Sequence, residues 1–203
     1  MSEIATWSGS ADGWVMIQPR SAFAALARQP ARSGIWLAAK RPLFLALLIG
    51  CTISLVTFPG LNLRLAAGAT IYWSFVPLAG IAALIAVCSR NRDRLSLART
   101  IDLFFTGTGP WVIWLIGLCA IWSFLPPARA FAFSNPFWLY GGTAVAIVWS
   151  AWIDFCFFRV ALGRGPAGAW GGLLLQRLIS WSVVILIFGA PSIPPEIAAR
   201  LKF

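Results

Sequence analysis

Two charged residues lie inside long apolar stretches of this sequence, and they are the residues best suited to chemistry. Asp154 lies within WSAWIDFCFF, and Arg177 lies within GGLLLQRLISW next to Gln176. If these stretches cross a bilayer, each charge at mid-depth costs about 2.5 to 3.5 kcal/mol on insertion scales. Each charge therefore needs a partner or a function.

The spacing of Asp154 and Arg177 predicts that they pair. Their stretches are joined by the short turn GRGPAG, and the midpoint of the two positions, 165.5, lies inside it. An antiparallel hairpin thus places both residues at one depth. The pair could fix helix register, which need not add much net stability because desolvation offsets attraction. Alternatively, it could contact a lipid headgroup, an ion or a substrate together with Gln176.

The segment RTIDLFFTGTGPW, residues 99–111, is a second candidate. It places Asp102, Thr106 and Thr108 before a proline, and backbone N–H groups at a helix start attract anions. These side chains are therefore candidates for headgroup or anion contact. The alternative is an amphipathic or re-entrant approach to the next helix, bent at the glycines. No P-loop lysine follows, which argues against a nucleotide site.

Arg159 and Arg164 flank the turn between the last two apolar stretches and are further candidates for headgroup contact. Arg159 is five residues from Asp154, which is a poor spacing for sharing a helix face. We expect its side chain to extend to the membrane surface instead.

Several chemistries are excluded by residue counts. The chain has no histidine, which excludes imidazole relays, histidine metal sites and Ser-His-Asp triads. The six acids are scattered along the sequence. The four cysteines have no CxxC spacing and lie in separate apolar stretches, where cysteine packs as a small hydrophobe. The alternative for Cys88 is acylation or metal ligation near an interface. We expect no catalytic residues, no metal and no cofactor.

The composition indicates that lipid is the solvent for most of the chain. Hydrophobic residues make up 60%, charged residues 11%, and the mean hydropathy is +0.82. Soluble domains average about 45–50% apolar and about 25% charged. The apolar stretches are also longer than barrel strands. The predicted fold class is therefore all-α, a polytopic membrane bundle preceded by a short amphipathic interfacial helix.

The predicted domains are a cytoplasmic segment (1–41), a five-span domain (42–190) and a short external tail (191–203). Pro42 suits the start of the first span, and Pro77 predicts a kink in the second. Residues 19–40 carry Phe23 and Trp36 among arginines, which predicts one or two interfacial helices around Pro30. A solvated basic linker is the alternative. The five predicted spans are 42–59, 65–88, 110–125, 137–162 and 169–190.

The basic residues predict the orientation. The formal net charge is +10, and twelve of the sixteen Lys and Arg residues fall on the side of the N-terminus. This places the N-terminus in the cytoplasm and the C-terminus outside. We expect a bacterial inner membrane, and anionic headgroups rather than nucleic acid as partners of these charges.

Small residues recur at helical spacing, at Ala46/Gly50/Ser54 and Ala79/Ala83. Such spacing lets helix backbones approach closely. The contact could lie within one chain or between chains.

The order of features resembles the Yip family of five-span membrane proteins, including its bacterial branch. PRSAFAAL precedes RPLFLALL, a proline interrupts WSFVPLAG, and another opens GPWVIWL. The resemblance covers roughly residues 16–190. It implies a five-span bundle with its N-terminus inside, and for the bacterial branch no defined activity or catalytic residues. The polar loop motifs of eukaryotic members are not evident, which argues against a vesicle-trafficking role.

Three function classes follow. The first is a non-catalytic protein that acts through helix association, as an accessory or organising subunit with a protein partner or as a homo-oligomer. The alternative is a small transporter or channel component using the Asp154/Arg177 site. An intramembrane enzyme acting on lipids is the least favoured, because Asp102 and Asp154 are far apart in sequence and lack a histidine partner.

Overall fold

The computed structural model describes residues 10–29, 35–57, 60–88, 95–124 and 136–189. These residues are 90% helical and contain no strand, which confirms the predicted fold class. A π-helical turn, Phe157–Ala161, follows the eighth helix. The helices are α1 (Ala11–Ile17), α2 (Pro19–Arg28), α3 (Ile35–Thr57), α4 (Leu63–Trp73), α5 (Phe75–Cys88), α6 (Leu97–Thr106), α7 (Gly109–Phe124), α8 (Pro136–Cys156) and α9 (Pro166–Gly189).

Several of these helices are long and apolar enough to cross a membrane. Helices α6 and α7 are bent by 47° at Gly107 and Thr108, and they form a fifth span only if the bent pair crosses as one. The described chain therefore has four candidate spans, or up to five. The four unbroken candidates are Ala38–Thr57, Leu63–Cys88, Tyr140–Ala161 and Pro166–Ile187.

The prolines act differently in the first two spans. Helix α3 begins at Ile35, so Pro42 lies inside it and does not start it as predicted. The basic residues before Pro42 continue the helix, and Arg41 gains ion-pair partners there. In the second span the helix breaks at Ser74, because Pro77 lacks the N–H that would bond to the carbonyl of Trp73.

The two N-terminal helices pack on one end of the bundle. Ser10 caps α1 by accepting from the Gly13 N–H at 3.2 Å, and Pro19 occupies the first turn of α2. Helix α2 buries Phe23 fully, and its ring meets that of Phe157 edge-on at 5.7 Å. Helix α2 thus lies against the π-helical turn.

The small residues of the first span face the second span of the same chain. Ala46 and Ser54 are buried. A Cβ on Gly50 would lie 2.6 Å from the carbonyl oxygen of Ala66 and 2.7 Å from the Thr70 nitrogen. The close crossing of α3 and α4 therefore requires a glycine. This resolves the open alternative for Ala46/Gly50/Ser54 in favour of packing within one chain.

The π-helical turn ends α8 and directs the chain back into α9. The N–H of Leu162 donates to the Phe157 carbonyl at 3.2 Å. Gly163 adopts a φ of +66°, a conformation that favours glycine. Phe104, Phe157 and Phe158 pack edge-to-face around the turn, with ring centroids 5.3 to 5.5 Å apart. This aromatic contact holds the α8–α9 hairpin beside α6.

Candidate functional site: an intramembrane polar cavity

The structure brings Asp154 and Arg177 together between α8 and α9. Arg177 Nη2 donates to Asp154 Oδ2 and also to Ser150 Oγ, the latter at 2.9 Å. The Asp154 side chain is 7% exposed and that of Arg177 is 22% exposed. The pair forms as the hairpin arithmetic predicts, although Arg177 lies eleven residues from the turn end of its span and Asp154 seven from that of its own.

The pair lies deep within the apolar spans. Arg177 is eleven residues beyond Pro166 and ten before Ile187, the limits of its span. At about 1.5 Å per residue, roughly 16 Å separate it from the start of that span. Asp154 is seven residues before Ala161, the end of its own span. The arginine is thus at the middle of a membrane-length helix.

Gln176 adds unused hydrogen-bonding capacity beside the pair. The residue is 4% exposed, and its Nε2 donates to Ser180 Oγ at 3.1 Å. Its Oε1 and the Nε of Arg177 are buried without a hydrogen-bond partner. A buried polar atom left unsatisfied costs about 1–3 kcal/mol. Because both atoms are also shielded from water-sized molecules, they stay unsatisfied within the helix packing.

A cavity of about 410 Å³ lies next to these groups. This is within the range of small-molecule pockets, roughly 300–1,000 Å³. Its polar end is formed by Ser150, Asp154, Gln176, Arg177 and Ser180. Its apolar wall comes from α3, from both sides of the α4–α5 and α6–α7 breaks, and from α9, and includes Leu45, Ile49, Trp73, Val76, Pro77, Phe104, Phe105, Trp111, Leu115, Trp181 and Val184.

Gly107 lets the break between α6 and α7 approach the ion pair. A Cβ at this position would lie 2.8 Å from Ile153 Cγ2 and 3.8 Å from Asp154 Oδ1. A larger residue would push the break away from α8. Gly107, which the sequence predicts to be part of a bend, therefore also lies in close contact with the polar site.

Asp102 belongs to a second, separate cluster at the end of the bundle. It pairs with Arg41 of α3 and, at 3.1 Å, with Arg99 of its own helix. Arg41 also binds Asp12 at 3.0 Å, and Arg99 Nη2 donates to the Leu26 carbonyl at 2.8 Å. These ion-pair partners of Asp102 were not predicted from the sequence. The i,i+3 spacing of Arg99 and Asp102 was the one available sign that the two residues could pair.

The other candidate residues bond to nearby backbone carbonyls and do not form one further site. The Thr106 hydroxyl donates to the Asp102 carbonyl and that of Thr108 to the Phe105 carbonyl, both at 2.8 Å. Thr108 lines the cavity. Arg159 donates to the Arg164 carbonyl at 2.6 Å, and Arg164 lies over the Phe158 ring and bonds to the Val87 carbonyl. Both arginine side chains therefore donate to backbone carbonyls near the turn between α8 and α9.

Potential metal-binding and redox groups are sparse. No group of three or more His, Cys, Asp or Glu residues occurs in the part of the chain that the structure describes. The four cysteines form no disulfide bond in the described residues, and Cys156 is fully buried at the end of α8. Among the described residues that line the cavity there is no cysteine.

The fold and the site together place the chain in the class of multi-pass helical bundles. Its long apolar helices are compatible with an integral membrane protein. Comparisons with protein-family models, with curated proteins and with solved structures found no match. The site itself is therefore the basis for assigning a function.

Proposed function

We propose that the chain is a small transporter component that binds an amphipathic solute in the cavity beside Asp154 and Arg177. One observation carries this proposal: the buried ion pair lines a cavity whose remaining wall is mostly apolar. A pair serving only to fix register needs no such space. Ionisable residues inside a membrane commonly mark solute or ion pathways.

The broken helices support the same proposal. Helices α4 and α5 meet at Ser74, helices α6 and α7 bend at Gly107, and residues beside both breaks line the cavity. Discontinuous helices are a recurrent source of binding groups near the midplane of transporters. They also provide hinges through which access to a cavity could change.

Cysteine labelling tests whether water reaches the cavity. Ser180 lines it, whereas Ser54 is fully buried in the α3–α4 contact. In a background without the native cysteines, we expect Ser180→Cys to react with a cationic methanethiosulfonate in native membranes. Ser54→Cys is the matched control and should stay unreactive.

Cysteine labelling can also contradict the transport proposal. If Ser180→Cys and Thr108→Cys are both inert from either side of the membrane, no aqueous path leads to the pair. The ion pair would then be a structural contact and the transport proposal would fail. Equal reactivity of Ser54→Cys would instead show that the bundle opens non-specifically.

We further propose that the chain resides in a bacterial inner membrane with a cytoplasmic N-terminus and an external C-terminus. The charge distribution supports this orientation, because eleven of the sixteen basic residues lie on the N-terminal side, four on the other side, and Arg177 lies within its span. The orientation requires an odd number of spans, so the bent pair α6–α7 must cross the bilayer once.

Reporter fusions test this topology. We expect a fluorescent protein that folds only in the cytoplasm to be active on the N-terminus. A phosphatase that folds only outside should be active on the C-terminus. If both ends report the cytoplasm, the span count is even and α6–α7 is re-entrant.

A second candidate function is that of an accessory or organising subunit, the association role considered above for a Yip-like protein. It is supported by α9, because only 17% of its span is buried within the chain, against 44% for α8. The apolar face that α9 leaves exposed would pack on a partner. A stoichiometric complex on native gels after mild-detergent purification would favour this function over transport.

A further inference from the structure

We infer that a groove between α2 and α8 binds an anionic phospholipid, with its phosphate on the guanidinium of Arg20. The groove is lined by Ile17, Gln18, Pro19, Arg20, Ser21 and Trp152. None of these residues lines the cavity beside the Asp154–Arg177 pair, so the inference does not depend on the transport proposal.

The charge of Arg20 has no counter-charge in the part of the chain that the structure describes. The acids of that part are Asp12, Asp102 and Asp154. Each of them forms its ion pair with an arginine other than Arg20. The Arg20 side chain is exposed, and its guanidinium lies over the Trp152 ring, 5.0 Å from the centroid. This cation–π contact holds the guanidinium in place but does not neutralise it.

The depth of Arg20 makes a counter-charge necessary. Trp152 is nine residues before Ala161, the end of its candidate span. At 1.5 Å per residue, roughly 14 Å of helix separate Trp152 from that end. An exposed charge at such a depth is costly, and local thinning that draws lipid headgroups towards the charge reduces the cost. The phosphate of a lipid is then the anion that the bilayer itself supplies.

An exposed apolar face next to the groove favours a lipid over a soluble anion. Val148 and Val145 lie four and seven residues before Trp152, which places all three on one face of α8. The two valines are 70% and 63% exposed, and Ile17 at the edge of the groove is 67% exposed. A lipid with its head on Arg20 would lay an acyl chain along this face. A soluble anion would leave the face unused.

The donors in the groove favour a phosphate that is not balanced by its own amine. A guanidinium presents its N–H groups as a fork that matches phosphate oxygens. Gln18 and Ser21 add an amide and a hydroxyl, and the described residues that line the groove include no acid. In phosphatidylcholine the choline group neutralises the phosphate. Phosphatidylglycerol keeps its net negative charge, so we expect the groove to prefer it.

Native mass spectrometry of the full chain in mild detergent measures this preference. The probes are phosphatidylglycerol and phosphatidylcholine with identical acyl chains. We expect one phosphatidylglycerol to bind the wild type roughly fivefold more tightly, which equals about 1 kcal/mol, the upper value for an exposed ion pair. Arg20→Gln should bind both lipids equally. Arg28→Gln removes the same charge from the exposed last turn of α2, and as the matched control it should keep the preference.

Two measurements on the wild-type chain need no variant to fold. Phosphatidylglycerol with a diazirine on its acyl chain should label the α8 peptide that contains Val145 and Val148 more strongly than the matching phosphatidylcholine. Inorganic phosphate should displace no more bound phosphatidylglycerol than chloride does at equal ionic strength.

Each opposite result overturns the inference. Equal binding of the two lipids by the wild type, or equal labelling of α8, would show that the groove does not select an anionic lipid. Equal losses in Arg20→Gln and Arg28→Gln would show attraction by net charge without a site at Arg20. Displacement by phosphate but not by chloride would identify a soluble phosphate as the ligand. The transport proposal is decided separately, by the cysteine labelling.

Discussion

Replacing Asp102 by Asn is expected to lower the free energy of unfolding by about 3–5 kcal/mol, the usual effect of breaking a buried ion pair from one side. Asp102 is 7% exposed on its side chain and faces both Arg41 and Arg99, which are 19% and 12% exposed. An asparagine keeps the shape but leaves two largely buried guanidinium groups without their shared counter-charge. Chemical unfolding in mild detergent, followed by tryptophan fluorescence, measures the loss.

The same substitution should loosen the N-terminal helices. The arginines of this cluster bind Asp12 of α1 and the Leu26 carbonyl of α2, so they connect both helices to the bundle. Hydrogen exchange in α1 and α2 should therefore accelerate in Asp102→Asn. Asp12→Asn is the matched control: Asp12 is 48% exposed, and a surface pair contributes about 0–1 kcal/mol. Equal losses from the two variants would contradict a central role for Asp102.

The two polar clusters show what the sequence alone can predict. Asp154 and Arg177 lie on consecutive helices joined by a short turn, so counting residues from the turn gives their relative depth. Asp102 and Arg41 are 61 residues apart, and the second span separates their helices. Which faces those helices present to each other depends on the whole bundle. Local spacing therefore predicted the first pair and could not find the second.

The breaks in the helices were partly predictable. Pro77 and the Gly107–Gly109 segment marked two irregular places, because proline and glycine have known backbone effects. The sequence could not show that both breaks line one cavity beside Asp154. That arrangement depends on Gly107 packing against Ile153 and on the close crossing of α3 and α4 at Gly50. Both are contacts between the faces of different helices, and helical periodicity does not specify which faces meet.

At the Asp154–Arg177 pair, we expect Arg177→Gln to lower the free energy of unfolding by about 3 kcal/mol. Asp154 is the more buried partner and would be left without its counter-charge among apolar helices. Asp154→Asn should cost less, about 1–2 kcal/mol, because Arg177 keeps its bond to Ser150 and can still donate to the side-chain oxygen of the asparagine. Unfolding of both single variants in the same detergent gives the comparison.

The double variant Asp154→Asn/Arg177→Gln then measures the coupling between the two residues. Because it leaves no unpaired charge, we expect it to recover most of the stability lost in Arg177→Gln, a coupling of about 1–3 kcal/mol. The same unfolding measurement on all four proteins closes the cycle. If the double variant loses as much stability as the two single variants added together, Asp154 and Arg177 act independently and the pair does not hold α8 against α9.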